Sequence, residues 1–294
     1  MDGYPANIRA WPLSCFASDM QFKHILFPVD FSIQSAQIVP SVQSFVKQFK
    51  SELTLLHVVE FPYATTGEID ALALDSWTWS EFENCQTSKL KEFRWANFSS
   101  GQVPVALRTG DPGSAIAEYV NEMNVDLIMM PSHGYGPFRA ALLGSVTAKV
   151  VHDTCCPVWT SVHSDELQNP PYPCRLIVCA VDGLESSVET IRLAGLMAQD
   201  LESSLMLVHA VTPKEAGPDS QIRSRIEELE RAANVSVPIC MGTGDIDSVV
   251  TRAAKAHGAD LLVVGRGRAP EIFGSLRSHV FSIIRDSPCP VLTI

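Results

Sequence analysis

The sequence predicts two α/β domains in tandem, each with about five parallel strands covered by helices on both faces. Three observations lead there: the chain repeats itself, its apolar runs do not alternate, and helical patterns lie between those runs. "HILFPVD" (His24–Asp30) matches "LIVCAVD" (Leu176–Asp182), and "LTLLHVV" (Leu53–Val59) matches "LMLVHAV" (Leu205–Val211). "RTGDPGSAIAEYVNEMNVDLIMM" (Arg108–Met130) matches "MGTGDIDSVVTRAAKAHGADLLVV" (Met241–Val264), and "LLGSVTAKVVHDTCCPVWTSV" matches "IFGSLRSHVFSIIRDSPCPVLTI". Matches in one order mean a duplicated unit of about 130–150 residues, too long for a solenoid repeat.

The short runs are rich in Val, Ile and Leu, the mark of parallel strands buried on both faces. Ile116, Val120 and Met123 recur at helical spacing, as do Leu276, Val280, Ile283 and Ile284. Pro40 should kink the first helix or delay its start. Residues Pro62–Ser100 add a longer helical excursion to the first unit, and "SDELQNPPYPC" (Ser164–Cys174) reads as a linker.

Composition narrows the function. The chain has 294 residues, 46% of them apolar and 19% charged, enough for a real core. A net charge of -11 argues against nucleic acid or an anionic membrane as the main partner. No apolar run reaches the roughly 18 residues of a membrane-spanning helix. The N-terminus lacks a basic start and apolar stretch, so residues 1–19 read as a tail or an over-extended start. The eight cysteines have no metal-like spacing, and we expect reduced, mostly buried thiols in a cytoplasmic protein.

In an open parallel sheet, ligands bind beyond the carboxyl ends of the strands where strand order reverses. Asp30 and Asp182 end strands there, as do Met130 and Val264 just before glycine-bearing loops. Gly134 and Gly136 let backbone amides approach an anion closely. Gly144 leads into a helix with unpaired first-turn N–H groups, and Ser145 and Thr147 add hydroxyls, a set suited to phosphate. Asp30 could accept from a ribose hydroxyl or an exocyclic amine, with Val29 and Val58 as apolar walls. The same residues also have a plainer use: Ser145 or Asp30 as helix caps, the glycines as turns. There is no P-loop, no dinucleotide fingerprint and no nucleophile elbow.

With these motifs in order, each half resembles a universal stress protein domain, and the whole resembles a tandem member of that family. The family motif is G-x-x-G, nine residues, then G-[ST]. Here Gly134 is followed by nine residues (Tyr135–Leu143) and Gly144-Ser145. The resemblance implies two Rossmann-like (adenine nucleotide alpha hydrolase-like) domains, at 22–163 and 174–294, after a tail (1–21) and around a linker (164–173). It implies base and ribose contacts at Pro28, Val29, Asp30, Val58 and Met130, and phosphate contacts at Gly134, Gly144, Ser145, Val146 and Thr147. Pro131 and His133 belong to the same loop. Pro131 replaces the first glycine of the motif and removes one backbone donor.

In the second half only six residues separate Gly267 from Gly274, a loop shorter than the motif requires. Arg266 and Arg268 could partly replace lost amides, but we expect a degenerate or structural partner. The resemblance also implies edge-to-edge pairing of "CPVWTSV" with "CPVLTI", an internal imitation of a homodimer, with further association of two chains open.

The expected function is stress-response regulation through ATP or another adenine nucleotide (ADP or AMP), bound with Mg²⁺ held mainly by phosphate and water. Hydrolysis would be slow at most; His133 is the nearest candidate base and equally a polar loop filler. We expect no catalytic constellation and no protein metal site. The alternative is an interaction module that binds no nucleotide.

Overall fold

In a computed structural model, the described residues are 22–60, 76–98, 102–134, 143–162, 174–213, 217–266 and 275–294. The tail, the linker, part of the excursion and the middle of each glycine loop lie outside them. The first half runs β1 (His24–Pro28), α1 (Ile33–Gln37), α2 (Val39–Phe49), β2 (Glu52–Val59), α3 (Ser76–Asn97), β3 (Val105–Thr109), α4 (Pro112–Met123), β4 (Leu127–Met130), α5 (Ser145–Asp153) and β5 (Val158–Thr160). The second runs β6 (Leu176–Val181), α6 (Ser187–Asp200), β7 (Ser204–Val211), α7 (Asp219–Ala232), β8 (Ile239–Thr243), α8 (Ile246–His257), β9 (Leu261–Val264), α9 (Ser275–Asp286) and β10 (Val291–Thr293).

The strands form one sheet in the order β3-β2-β1-β4-β5-β10-β9-β6-β7-β8. Every neighbouring pair is parallel except β5 and β10, which run antiparallel. Alternate strand residues face two cores. Ile25, Phe27, Leu127 and Met129 pack with Val42, Phe45 and Leu90 from α2 and α3. Leu26, Ile128 and Val158 pack with Ile116, Val120 and Val150 from α4 and α5. Burial on both faces explains why the strands read as unbroken apolar runs.

Local signals set the helix ends. Ser32 caps α1 by accepting from the Ser35 amide at 3.1 Å. Pro40 sits in the first turn of α2, where its missing N–H costs nothing, so the helical stretch breaks at Ile38. Along α4, Ile116 and Val120 are buried as expected, but Met123 is 47% exposed. Tyr119, at 5% exposure, completes the inner stripe instead, because the helix ends one residue later at Asn124 in the left-handed region.

Asp111 caps α4, accepting from the Ser114 amide at 2.9 Å and from Lys149 Nζ at 2.6 Å. The lysine bond, then the amide, hold its carboxyl down at about 2. A depressed carboxyl stabilises the fold above its unfolded value and loses that contribution as pH falls through the folded one. Asp111→Ala should therefore cost about 1 kcal/mol near neutral pH. In urea titrations the gap from the parent chain should close as pH approaches 2.

Candidate functional site

Within the first half the strand order reverses between β1 and β4. A cleft of about 540 Å³ opens there, at the carboxyl ends of the strands. That is the size of an ordinary small-molecule site. Pro28, Val29, Asp30, Val58, Met130, Pro131, Gly134, Gly144, Ser145, Val146 and Thr147 all line it. His133 does not: its ring is buried, with Nδ1 3.2 Å from Ser132 Oγ, so it is not placed to act as a base in the cleft.

Asp30 has two roles, one per oxygen. Oδ1 accepts from the Ser32 amide at 2.9 Å, Ser32 Oγ at 2.5 Å and Ser35 Oγ at 2.6 Å, which fixes the entry to α1. Oδ2 lies beside Gly134: a Cβ built there would sit 2.2 Å from it. Any side chain at position 134 would displace the carboxylate. Phe31, next in the chain, has φ 61, a left-handed conformation that is costly for a bulky residue. Its ring packs 4.4 Å from the ring of His57 on β2. His57 Nδ1 lies 2.7 Å from the Val29 carbonyl, which can only accept, so Nδ1 carries the proton. Burial pushes the His57 pKa below its usual value, while the Val29 carbonyl and Asp30 oppose that shift.

The start of α5 forms the opposite wall. Gly144 occupies the cap position, and no side chain caps this helix. Ser145 is the first helical residue and is exposed, so it is not a cap. The amides of Ser145, Val146 and Thr147 belong to a first turn with no intrahelical partners. Two expected donors are spent elsewhere. The Gly144 amide donates to the Ser132 carbonyl at 3.0 Å, and the Thr147 hydroxyl donates to the Pro131 carbonyl at 3.0 Å. Gly144 instead contributes space, since a Cβ there would lie 3.1 Å from His133 Cα. Residues 135–142, including Gly136, lie outside the described residues.

The cleft also draws on residues that motif reading missed: Ser35, Leu56, His57, Val59, Glu60, Pro112, Ile116, and Phe82 and Gln86 from α3. His57 could have been found, because the repeat places His209 at the matching position with its Nδ1 2.9 Å from the Val181 carbonyl. Phe82 and Gln86 carry no such signal. Among the described lining residues there is no lysine or arginine. Nor do the described residues bring together three His, Cys, Asp or Glu side chains able to hold a metal.

The second half keeps the frame and changes the contents. Asp182 Oδ1 accepts from the Leu184 amide at 3.0 Å and from Ser187 Oγ at 2.5 Å, as Asp30 does with its own turn. Gly183 takes the left-handed position of Phe31, and Arg225 Nη2 lies 2.9 Å from where its Cβ would be. Arg266 does not replace lost amides in a loop. Its guanidinium crosses to the first half and donates to the carbonyls of Thr154 and Cys156. Gly267, Arg268 and Gly274 lie outside the described residues. Burial pushes the thiols of Cys179 and Cys289 up to about 12 and that of Cys174 to about 11, which keeps them inert. Among the described residues no helix is long and apolar enough to cross a membrane.

Comparison with known proteins agrees with this architecture. Universal stress protein Sll1654 of Synechocystis is 33% identical over 141 residues, 47% of this chain and 85% of that protein. A universal stress protein from Archaeoglobus fulgidus shares the fold across 93% of this chain and 98% of its own, with a TM-score of 0.69 at 23% identity. Another universal stress protein, 20% identical over 42% of this chain with a TM-score of 0.34, was solved in complex with cAMP. The model of the universal stress protein family matches residues 21–161 and again 174–294. With both halves matched, the chain belongs to the universal stress protein family.

Proposed function

We propose that the first half, residues 22–163, binds an adenine nucleotide, ATP with Mg²⁺ foremost, and that the chain serves as a stress-response regulator. One observation supports this above the others: a single cleft joins the Asp30 carboxylate and apolar Val29, Val58 and Met130 to the uncapped start of α5. A base and ribose suit the first group, and a polyphosphate suits helix N–H groups. Because Asp30 and Glu60 line the cleft and no described cation does, the phosphates would need a metal ion to balance their charge. Mg²⁺ held by phosphate and water meets that need. On this reading turnover is slow at most. The second half, residues 174–294 beyond a linker at 164–173, then acts as a structural partner in an internal pseudo-dimer.

A thermal shift titration tests the reading. Mg-ATP at 100 times its dissociation constant should add about 2.7 kcal/mol of stability. Ser145→Asp places an acid at an exposed helix start, where it suits the fold but repels phosphate. It should leave the melting temperature of the free chain nearly unchanged and abolish the shift. A melting temperature indifferent to millimolar Mg-ATP in the parent chain would favour an interaction module that binds no nucleotide.

His57 gives a second readout, from inside the cleft. Its NMR titration midpoint should lie below the usual 6.5, with burial the main cause. The sign follows: the free chain should lose stability as pH falls from 6.5 towards that lower midpoint. His57→Gln should remove that part of the pH dependence. Mg-ATP should move the His57 resonances, whereas the buried His209 should not respond.

A further inference from the structure

The seam between the halves is built on a pseudo-twofold. β5 and β10 pair with Val158 opposite Thr293, Trp159 opposite Leu292 and Thr160 opposite Val291. Thr160 Oγ1 donates to the Val291 carbonyl at 3.2 Å, and Thr293 Oγ1 donates to the Val158 carbonyl at 3.3 Å. These two bonds are equivalents of one another. Any pairing of two such strands, like or unlike, could form them.

Two other features break the symmetry. The first lies at its centre, where Trp159 and Leu292 occupy matching positions and face each other. Both are essentially fully buried, at 1% and 0% exposure, and the Trp159 ring packs 6.3 Å from that of Phe45. Pairing two first halves would set indole against indole in a filled core, and pairing two second halves would leave a void. Interiors tolerate neither overpacking nor cavities well.

The second feature is polar. Arg266 follows β9 as Ser132 follows β4, so the two are counterparts. Arg266 Nη1 donates to the Thr154 carbonyl, and Nη2 donates to the Cys156 carbonyl at 2.5 Å. Its Nε also lies 3.3 Å from Thr293 Oγ1. Ser132 is too short to make the mirror-image bonds. In the second half Ser287 Oγ donates to the Cys289 carbonyl at 2.7 Å. In the first half Thr154 Oγ1 donates to the Val150 carbonyl at 2.9 Å and reaches the Cys156 carbonyl only at 3.5 Å, so the short bond to that carbonyl comes from Arg266. Two first halves together would leave the Thr154 and Cys156 carbonyls without their guanidinium, and two second halves would offer each Arg266 a Cys289 carbonyl that already accepts from Ser287 Oγ. A buried polar group left unpaired is costly.

We infer that the seam selects unlike halves: Trp159 against Leu292 and Arg266 against the Thr154 and Cys156 carbonyls make first-with-second pairing preferred over either like pairing. The surface beyond β5 therefore fits β10 of this chain rather than a second copy of itself.

The test uses the full chain with a protease recognition site placed in residues 164–173, cut after folding. Native mass spectrometry then separates like from unlike pairs by mass, and dilution gives the dissociation constant. The cut parent chain should remain a one-to-one unlike pair. Arg266→Ala and, independently, Leu292→Trp should each raise the dissociation constant about tenfold or more and allow like pairs to form. Arg266→Lys keeps the charge but not the fork, and should fall between. Thr160→Val removes a symmetric bond and should weaken pairing without producing like pairs. The inference is overturned if the cut parent chain redistributes into a statistical mixture. It is equally overturned if Arg266→Lys and Leu292→Trp both keep the parent's pairing and dissociation constant.

Discussion

The backbone ladder between β1 and β4 fixes the rest of the first half. Ile25 lies opposite Leu127 and Leu26 opposite Ile128, both strands running the same way. The chain reaches β2 and β3 on one side of β1 and arrives at β4 on the other. Right-handed crossovers then send α2 and α3 to one face and α4 and α5 to the other. The loops after β1 and β4 must diverge at that point, and the cleft is the gap they leave. Asp30 and the start of α5 are far apart in sequence, and they meet because these two strands are neighbours.

Duplication lets the same frame be compared twice. The turn after β1 and the turn after β6 both demand a left-handed residue, filled by strained Phe31 in one half and by Gly183 in the other. Phe31 repays its strain with a ring packed on His57, at the edge of the cleft. Gly183 leaves its space to Arg225. After β4 the chain turns with Pro131 and Ser132, whereas after β9 it turns with Gly265 and Arg266. Thr190 Oγ1 lies 2.7 Å from where a Cβ on Gly265 would be, so no side chain fits there without a shift. In the first half Pro131 borders the cleft, and in the second half the described counterparts pack against Thr190 and Arg225 and reach the seam.

Two sets of acids recur in both halves. Asp126 Oδ2 accepts from the His24 amide at 2.8 Å, and Asp260 Oδ2 accepts from the Arg175 amide at 2.8 Å. Each ties the start of the first strand of its half to the turn before the fourth. These acids lie at the opposite end of the strands from the cleft. They are the repeated, structural acids, and Asp30 and Asp182 are the repeated acids at the carboxyl ends of the strands. Position along the strand separates the two uses.

Much of this was legible in the sequence because it is local or periodic. Unbroken apolar runs gave strands, the repeat gave two domains, Pro40 gave the break between α1 and α2, and the Val-Asp and Gly-Ser stretches gave most of the cleft. The uses of particular hydrogen atoms were not legible. That the Gly144 amide goes to Ser132 and the Thr147 hydroxyl to Pro131 depends on how a loop folds back over a strand end. Phe82 and Gln86 reach the cleft because α3 packs across β2 and β3. Arg266 reads as a loop cation, and only the antiparallel meeting of β5 with β10 brings it to the Thr154 and Cys156 carbonyls. Periodicity and motif spacing record what a residue does with its own neighbours in the chain. Contacts between distant elements are set by the packing of whole helices and strands, which no short stretch of sequence encodes.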